Sequence, residues 1–220
     1  MPRTIYIVRH CERIDNIDPR WRKKHPSFEE DNSPLSSRGR NVQAKELQKR
    51  FENIHLDHVF ASPFDRTMET SSILIGNKDI LIKPDPGLLE ALYLCENPPS
   101  FWKVDKLKEK FPNTDTKYVP VFKTCPKEGG YGDEGCLPRV KKFIETVLDT
   151  VCVGENDTIV FVSHGSPIAA AHDHLARKWK YVGQATVSTF TEVGNMTGKF
   201  TMDSSNDASH MSDKSDLRAY

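Results

Sequence analysis

The chain lacks a charge excess of either sign: among 220 residues, 31 Lys and Arg stand against 31 Asp and Glu. That balance speaks against a protein whose main role is to coat nucleic acid or an anionic membrane. It also lacks any apolar run near the ~20 residues that a membrane-spanning helix needs. The apolar start Ile5-Tyr6-Ile7-Val8 is cut off by Arg9-His10, too soon for a secretory signal. The five cysteines (Cys11, Cys95, Cys125, Cys136, Cys152) form no C-x-x-C pair. An odd number without metal spacing reads as reduced thiols in a cytoplasmic protein. No internal repeat is visible. What remains is a polar globular chain, 37% hydrophobic with a mean hydropathy of −0.58. A chain this long buries roughly 70–75% of its unfolded surface without disulfide staples.

The order of patterns predicts an α/β protein. Thr4–Val8 reads as a buried strand, followed by an irregular polar stretch over 11–34. A helix capped by Ser36 or Ser37 is expected to bury Val42, Ala44, Leu47 and Phe51. His58–Ala61 is a second strand, and Pro63 suits the first turn of a helix running to about Leu74. Ile80–Ile82 is a third strand. From Cys95 to Leu137, five prolines and four glycines mark a cap or insertion. A helix through Val140, Phe143, Ile144, Val147 and Leu148 follows, then the strand Thr158–Val162 and a helix from about Pro167 to Lys178. Edge strands are expected near Ala185–Thr191 and Lys199–Met202. Residues 203–220, with four Asp and five Ser, read as a poorly packed tail outside a domain spanning 1–202. Strands alternating with helices give a three-layer sandwich with a mainly parallel sheet.

In such sheets, ligands bind beyond the carboxyl ends of the strands. Those ends carry His10 and His164, with Arg9 and Arg13 beside the first, Arg66 after the second strand and Glu90 after the third. A single strand-end histidine is commonly structural, but six such groups on one rim point to chemistry. Three guanidiniums around two imidazoles suit a dianion, because Arg forks match phosphate oxygens. Phosphoryl transfer needs its oxygens neutralised and a nucleophile held in line. A neutral imidazole can be that nucleophile, and a carboxyl such as Glu90 can protonate the leaving oxygen.

Four segments then carry a resemblance: Val8-Arg9-His10-Cys11-Glu12-Arg13, Leu35-Ser36-Ser37-Arg38-Gly39-Arg40-Asn41-Val42-Gln43-Ala44, Ala61-Ser62-Pro63-Phe64-Asp65-Arg66-Thr67-Met68-Glu69-Thr70 and Ser163-His164-Gly165. Together they resemble the signatures of the histidine phosphatase (phosphoglycerate mutase-like) superfamily, in register from about residue 3 to 200. The R-H-x-E-R form and Pro86-Gly87-Leu88-Leu89-Glu90 are most similar to the TULA/Sts phosphatases. The resemblance implies a metal-independent phosphomonoesterase acting on phosphotyrosine-like or bulky alcohol (steroid-type) phosphates. It implies His10 as nucleophile, Glu90 as acid and base, and Arg9, Arg13, Arg66 and His164 around the phosphate, with no cofactor. The mutase pattern after the histidine is replaced by Glu12-Arg13-Ile14-Asp15-Asn16, which favours a hydrolase. A phosphoglycerate mutase, a sugar bisphosphatase and a catalytically weak phosphate-binding module are the alternatives. Three residues depart from the family: Cys11 replaces a glycine, Glu69 a glutamine, and Ala91 a tryptophan.

The expected partner is a phosphorylated substrate, either a phosphoprotein or a small phosphate ester, with a homodimer left open and no nucleic acid or membrane. Gly130-Tyr131-Gly132-Asp133-Glu134-Gly135 fits a dinucleotide fingerprint by letter, but its acids would repel a pyrophosphate. No cysteine has the Arg six residues on that a cysteine-dependent phosphatase needs. His172 and His174 point apart on a helix, which disfavours a metal. The basic run from Arg20 to His25 reads as a solvated loop, with recruitment of acidic phosphopeptides as its functional alternative. Cys11, beside cations, is expected either to ionise and react with peroxide or to be an inert thiol filling the glycine's place.

Overall fold

Alternation along the strands sorts their side chains onto two buried faces. In β4 (Thr158–Ser163), Ile159 and Phe161 enter one core while Val160 and Val162 enter another. In β1 (Thr4–Arg9), Ile5 and Ile7 join the first core and Val8 the second. A strand covered on both faces must be apolar at every position, which is why these two runs read so clearly. The computed structural model describes residues 2–129 and 132–218. Its one sheet of six strands runs β3 (Ile82–Pro84), β2 (His58–Ala61), β4, β1, β5 (Val187–Glu192), β6 (Phe200–Asp207). The first four of these are parallel, whereas β5 is antiparallel to β1 and β6 to β5. Helices α1 (Ala44–Phe51) and α2 (Asp65–Ile75) pack on one face, and α4 (Leu137–Thr150) and α5 (Gly165–Ala176) on the other. The short α3 (Val104–Lys110) lies within the 95–137 insertion. The expected three-layer α/β sandwich is therefore the fold.

The strand order also creates a crevice. From β1 the chain crosses over β4 to reach β2, and from β4 it crosses over β1 to reach β5. The two connections leave in opposite directions, so neither of them fills the space beyond the carboxyl ends of β1 and β4.

Several expectations need correction. Val42 is 38% exposed, because Gly39–Gln43 forms a wide π-helical turn that presents Gln43 to the core instead. Helix α2 starts at Asp65, two residues after Pro63, and α5 starts at Gly165 rather than Pro167. The third strand begins at Ile82, where it joins β2, so Ile80 and Leu81 precede it. Strand β5 is internal, and only β6 is an edge on that side.

The C-terminal stretch is not a loose tail. Residues 203–207 complete β6, Met211 is buried in the second core, and the Gln184 N–H donates to the Leu217 carbonyl at 2.6 Å. Its aspartates are used as acceptors: Asp207 takes Arg50 at 2.7 Å and Asp213 takes Arg38 at 2.9 Å. Polar composition there reflects pairing with the domain surface rather than a lack of packing.

Phe161 ties the sheet to α4, with ring centroids 5.7 Å from Phe60 and 5.3 Å from Phe143. Phe161→Ala should therefore lower the unfolding free energy by about 3–5 kcal/mol. Urea denaturation should show the midpoint falling with an unchanged slope.

Candidate active site

The last register pair of β1 and β4 is Arg9 with Ser163. The next residue on each strand is a histidine, so His10 and His164 emerge side by side into the crevice, ring centroids 5.2 Å apart. The His10 N–H donates to the Ser163 carbonyl at 3.0 Å, which carries the pairing one step past the strand. Both imidazoles are almost fully enclosed, His10 at 1% exposure and His164 at 0%.

Their hydrogen bonds assign the tautomers. His10 Nδ1 lies 2.8 Å from the Cys11 carbonyl oxygen, which can only accept, so Nδ1 carries the proton and Nε2 keeps its lone pair. His164 Nδ1 accepts from Arg66 Nε at 3.3 Å, so its Nε2 carries the proton and donates to Ser62 Oγ at 2.8 Å. Burial, then Arg66, Arg9 and Arg13, hold His10 well below the ordinary imidazole range. Burial, then Arg66 and the His10 ring, do the same for His164. Both rings are neutral at pH 7.

A cavity of about 540 Å³ opens over this point. Arg9, Arg13, Arg66 and Glu90 line it together with Gly165 and Ser166 of α5. The sequence had placed those four charged side chains on one rim, and the structure brings them together. Neither imidazole is among the lining residues. They connect to the lining through Arg9 before His10, Gly165 after His164 and the Arg66–His164 hydrogen bond.

Each guanidinium is anchored. Arg66 Nη1 donates to the Asp31 carbonyl at 2.8 Å, and burial, followed by Arg13, pushes Arg66 down to about 10. Arg13 pairs with Asp15, itself held by Ser33 at 2.8 Å. Arg9 Nη1 donates to the carbonyls of Val182 at 2.6 Å and Arg218 at 2.8 Å.

The other motif residues hold the loop that follows His10. Ser36 Oγ donates to Glu12 Oε1 at 2.6 Å and caps the helical turn by accepting from the Gly39 N–H at 2.9 Å. Arg38 pairs with Glu12 at 2.8 Å, and Gln43 Oε1 accepts the Glu12 N–H at 2.7 Å. A Cβ on Gly39 would sit 2.3 Å from the Glu12 carbonyl oxygen, so only glycine lets this turn approach so closely. Thr70 Oγ1 accepts the Cys11 N–H at 3.2 Å.

The departures from the family pattern have structural accounts. The Cys11 side chain is buried in the second core, and burial pushes its thiol up to about 12, with Glu69 and Glu12 adding to the rise. Burial outweighs the cations that were expected to make it a thiolate, which supports the inert alternative. Glu69 forms an ion pair with Arg40. Ala91 packs in the first core and gives its N–H to Glu90 Oε1 at 3.0 Å.

Sequence reasoning missed the outer wall: Asp31, Tyr93, Leu94, Cys95, Asp133 and Tyr181. Asp133 accepts hydroxyls from Tyr93 at 2.5 Å, Tyr181 at 2.5 Å and Ser166 at 2.7 Å. Burial works to raise this carboxyl, but the three hydroxyls hold it below its ordinary range. Asp133 lay inside the glycine-rich motif set aside above, of which Gly130 and Tyr131 fall outside the described residues. The tyrosines carry no spacing signal.

His172 packs at a tilt against Phe190, centroids 5.4 Å apart, while His174 faces Glu145 at 3.8 Å, so the two do point apart. In the basic run, Lys24 pairs with Asp18 at 2.9 Å and Arg22 with Glu29 at 3.5 Å. Those two cations are answered locally, and Trp21, between Arg20 and Arg22, is buried.

A doubly wound α/β sheet with paired strand-end histidines and an arginine-lined cavity defines a phosphate-handling type of site. The family profile described as "Histidine phosphatase superfamily (branch 1)" matches residues 5–206, and the chain belongs to that superfamily. It is similar to Phosphoserine phosphatase 1 of Hydrogenobacter thermophilus, 28% identical over 145 residues. That match takes in 63% of this chain and 62% of the relative's length. Among solved structures, the ecdysone phosphate phosphatase from Bombix mori, in complex with tungstate, superposes with a TM-score of 0.68 at 20% identity, covering 93% of each chain. YhfR of Bacillus stearothermophilus gives 0.64 at 20% identity, covering 94% of this chain and 98% of its own.

The neutral, enclosed imidazoles set a pH dependence. Their folded values lie below the unfolded value of about 6.5, so below that pH the unfolded chain binds protons that the native chain refuses. Stability should therefore fall as pH drops from about 6.5 until the folded values are reached. NMR titration should place the His10 ring midpoint below 6.5 in the free protein; a midpoint at or above it would contradict the enclosure and cation field described here.

Proposed function

We infer that the chain is a phosphomonoesterase in which His10 Nε2 attacks the phosphorus of a phosphate ester. The observation that carries this reading is the pair of buried, neutral imidazoles held 5.2 Å apart against an arginine-lined cavity. The P–O bond to the leaving group breaks as the N–P bond forms, and the Glu90 carboxyl gives its proton to the departing oxygen. Water then attacks the phosphohistidine and loses its proton to the Glu90 carboxylate, the N–P bond breaks, and phosphate leaves. Arg9, Arg13 and Arg66 take the phosphoryl oxygens, with the amino end of α5 adding its dipole, while His164, whose ring nitrogens are engaged by Arg66 and Ser62, orients the Arg66 guanidinium. Charge on the phosphate is thus met by side chains, and no metal or cofactor is assigned.

The wall beyond the phosphate supports an aryl or bulky neutral alcohol as leaving group, in line with the TULA/Sts resemblance and the Bombix mori relative. Tyr93, Leu94 and Tyr181 supply apolar and ring surface there. The remaining charged lining residues are Asp31 and Asp133. A mutase or bisphosphatase substrate brings a second anionic group, and phosphoserine brings a carboxylate; either would meet these carboxylates rather than a cation. Burial of the Cys11 side chain in the second core favours an active enzyme over the weak binding module.

His10→Ala should lose at least about a thousandfold in kcat on p-nitrophenyl phosphate, and EDTA should leave the wild-type rate unchanged. A variant retaining a tenth of the activity, or inhibition by EDTA, would refute the mechanism.

Glu90→Gln should discriminate between leaving groups. A proton donor matters most when the leaving oxygen is basic, so the loss on an alkyl phosphate should exceed that on p-nitrophenyl phosphate by about tenfold or more. Steady-state kinetics on both esters provide the check, and equal losses would remove Glu90 from this role.

A further inference from the structure

Glu90 sits between two short 3-10 turns, Pro86–Leu88 and Leu92–Leu94, on a stretch with no strand or helix of its own. Its carboxylate leans on its own main chain, with Oε1 accepting the Ala91 N–H at 3.0 Å. Where the carboxylate points is therefore decided by what holds the backbone of residues 87–92.

That backbone is held by a buried ion pair that is not itself among the cavity-lining residues. Arg139, in the first turn of α4, donates from Nη1 to the carbonyls of Gly87 at 2.8 Å and Leu89 at 2.9 Å, and from Nη2 to the carbonyl of Glu90 itself at 3.1 Å. Its Nε donates to Glu128 Oε1 at 3.0 Å. The other oxygen of Glu128 accepts the Leu92 N–H at 2.7 Å. The guanidinium grips the chain up to Glu90 and the carboxylate grips it just beyond. Both side chains are almost wholly enclosed, at 2% and 8% exposure.

A buried ion pair is a weak device for stability alone, since apolar side chains of similar volume commonly serve as well or better. What the pair supplies is direction: a planar fork of fixed geometry aimed at successive carbonyls of one loop. We propose that Arg139 and Glu128 are positioning residues that set the Glu90 carboxyl over the leaving-group oxygen. The 95–137 insertion, which delivers Glu128, is then part of the proton-transfer apparatus as well as a cover. This rests on the reading of Glu90 as proton donor given above.

The test uses Arg139→Lys, which keeps the charge but cannot serve three carbonyls, and Glu128→Gln, which keeps the shape but not the charge. Thermal melting establishes that each variant is folded at the assay temperature. kcat/KM is measured with p-nitrophenyl phosphate and with benzyl phosphate, whose leaving oxygen needs the proton. Each variant should stay within about threefold of wild type on the first ester and lose about tenfold or more on the second. Added to Glu90→Gln, neither should deepen the selective loss. Equal losses on both esters, or a further selective loss on top of Glu90→Gln, would make the pair structural only. Melting of both variants below the assay temperature would count the same way. If Glu90→Gln is itself unselective, the donor role falls and this proposal with it. If Glu90→Gln is selective and the other two variants are not, this proposal falls alone.

Discussion

The parallel pairing of β1 with β4 is the constraint on which the rest depends. Its register sets Arg9 opposite Ser163, and the residue after each is a histidine. A slip of one residue would turn every side chain of one strand to the opposite face. It would separate the two rings and exchange the two cores at once. Site geometry and core packing are thus specified by the same row of hydrogen bonds, with Ile159 and Phe161 on one side and Val160 and Val162 on the other.

Around that pairing the molecule gathers positive charge in an enclosed place, and much of the surrounding structure exists to make this tolerable. Each arginine is met by main-chain carbonyls or a carboxylate: Asp31 and the His164 ring for Arg66, Val182 and Arg218 for Arg9, Asp15 for Arg13. Burial first, and then the field they leave, keeps both imidazoles neutral. A neutral ring is a nucleophile and a protonated one is not, so burial together with a field suited to a dianion also keeps His10 in the form that the proposed mechanism requires.

The sheet and the charged rim were legible in the sequence because each depends on local pattern. Doubly buried strands are apolar throughout, and ligands in open α/β sheets lie beyond strand ends, so His10, His164, Arg9, Arg13, Arg66 and Glu90 could be read off in order. The outer wall was not legible, because Tyr93, Asp133 and Tyr181 meet through hydroxyl contacts between loops without periodicity. Val42 was misread because a π-turn breaks the 3.6-residue period on which the expectation rested. The C-terminal stretch was misread because Asp and Ser give the same composition whether they face water or pair with Arg50 and Arg38. Cys11 was half legible: Arg9 and Arg13 lie two positions away on either side, but its side chain is buried in the second core.

The bond from Arg9 to the Arg218 carbonyl spans 209 positions of sequence. During synthesis from the amino end, β1 leaves the ribosome long before β4, its central partner, and longer still before residue 218. Until β4 emerges, β1 is an unpaired strand with exposed hydrogen-bonding edges, and until residue 218 emerges Arg9 lacks one of the carbonyls that anchor it. The anchoring of Arg9 is therefore completed only after residue 218 has emerged, later than the pairing of β1 with β4.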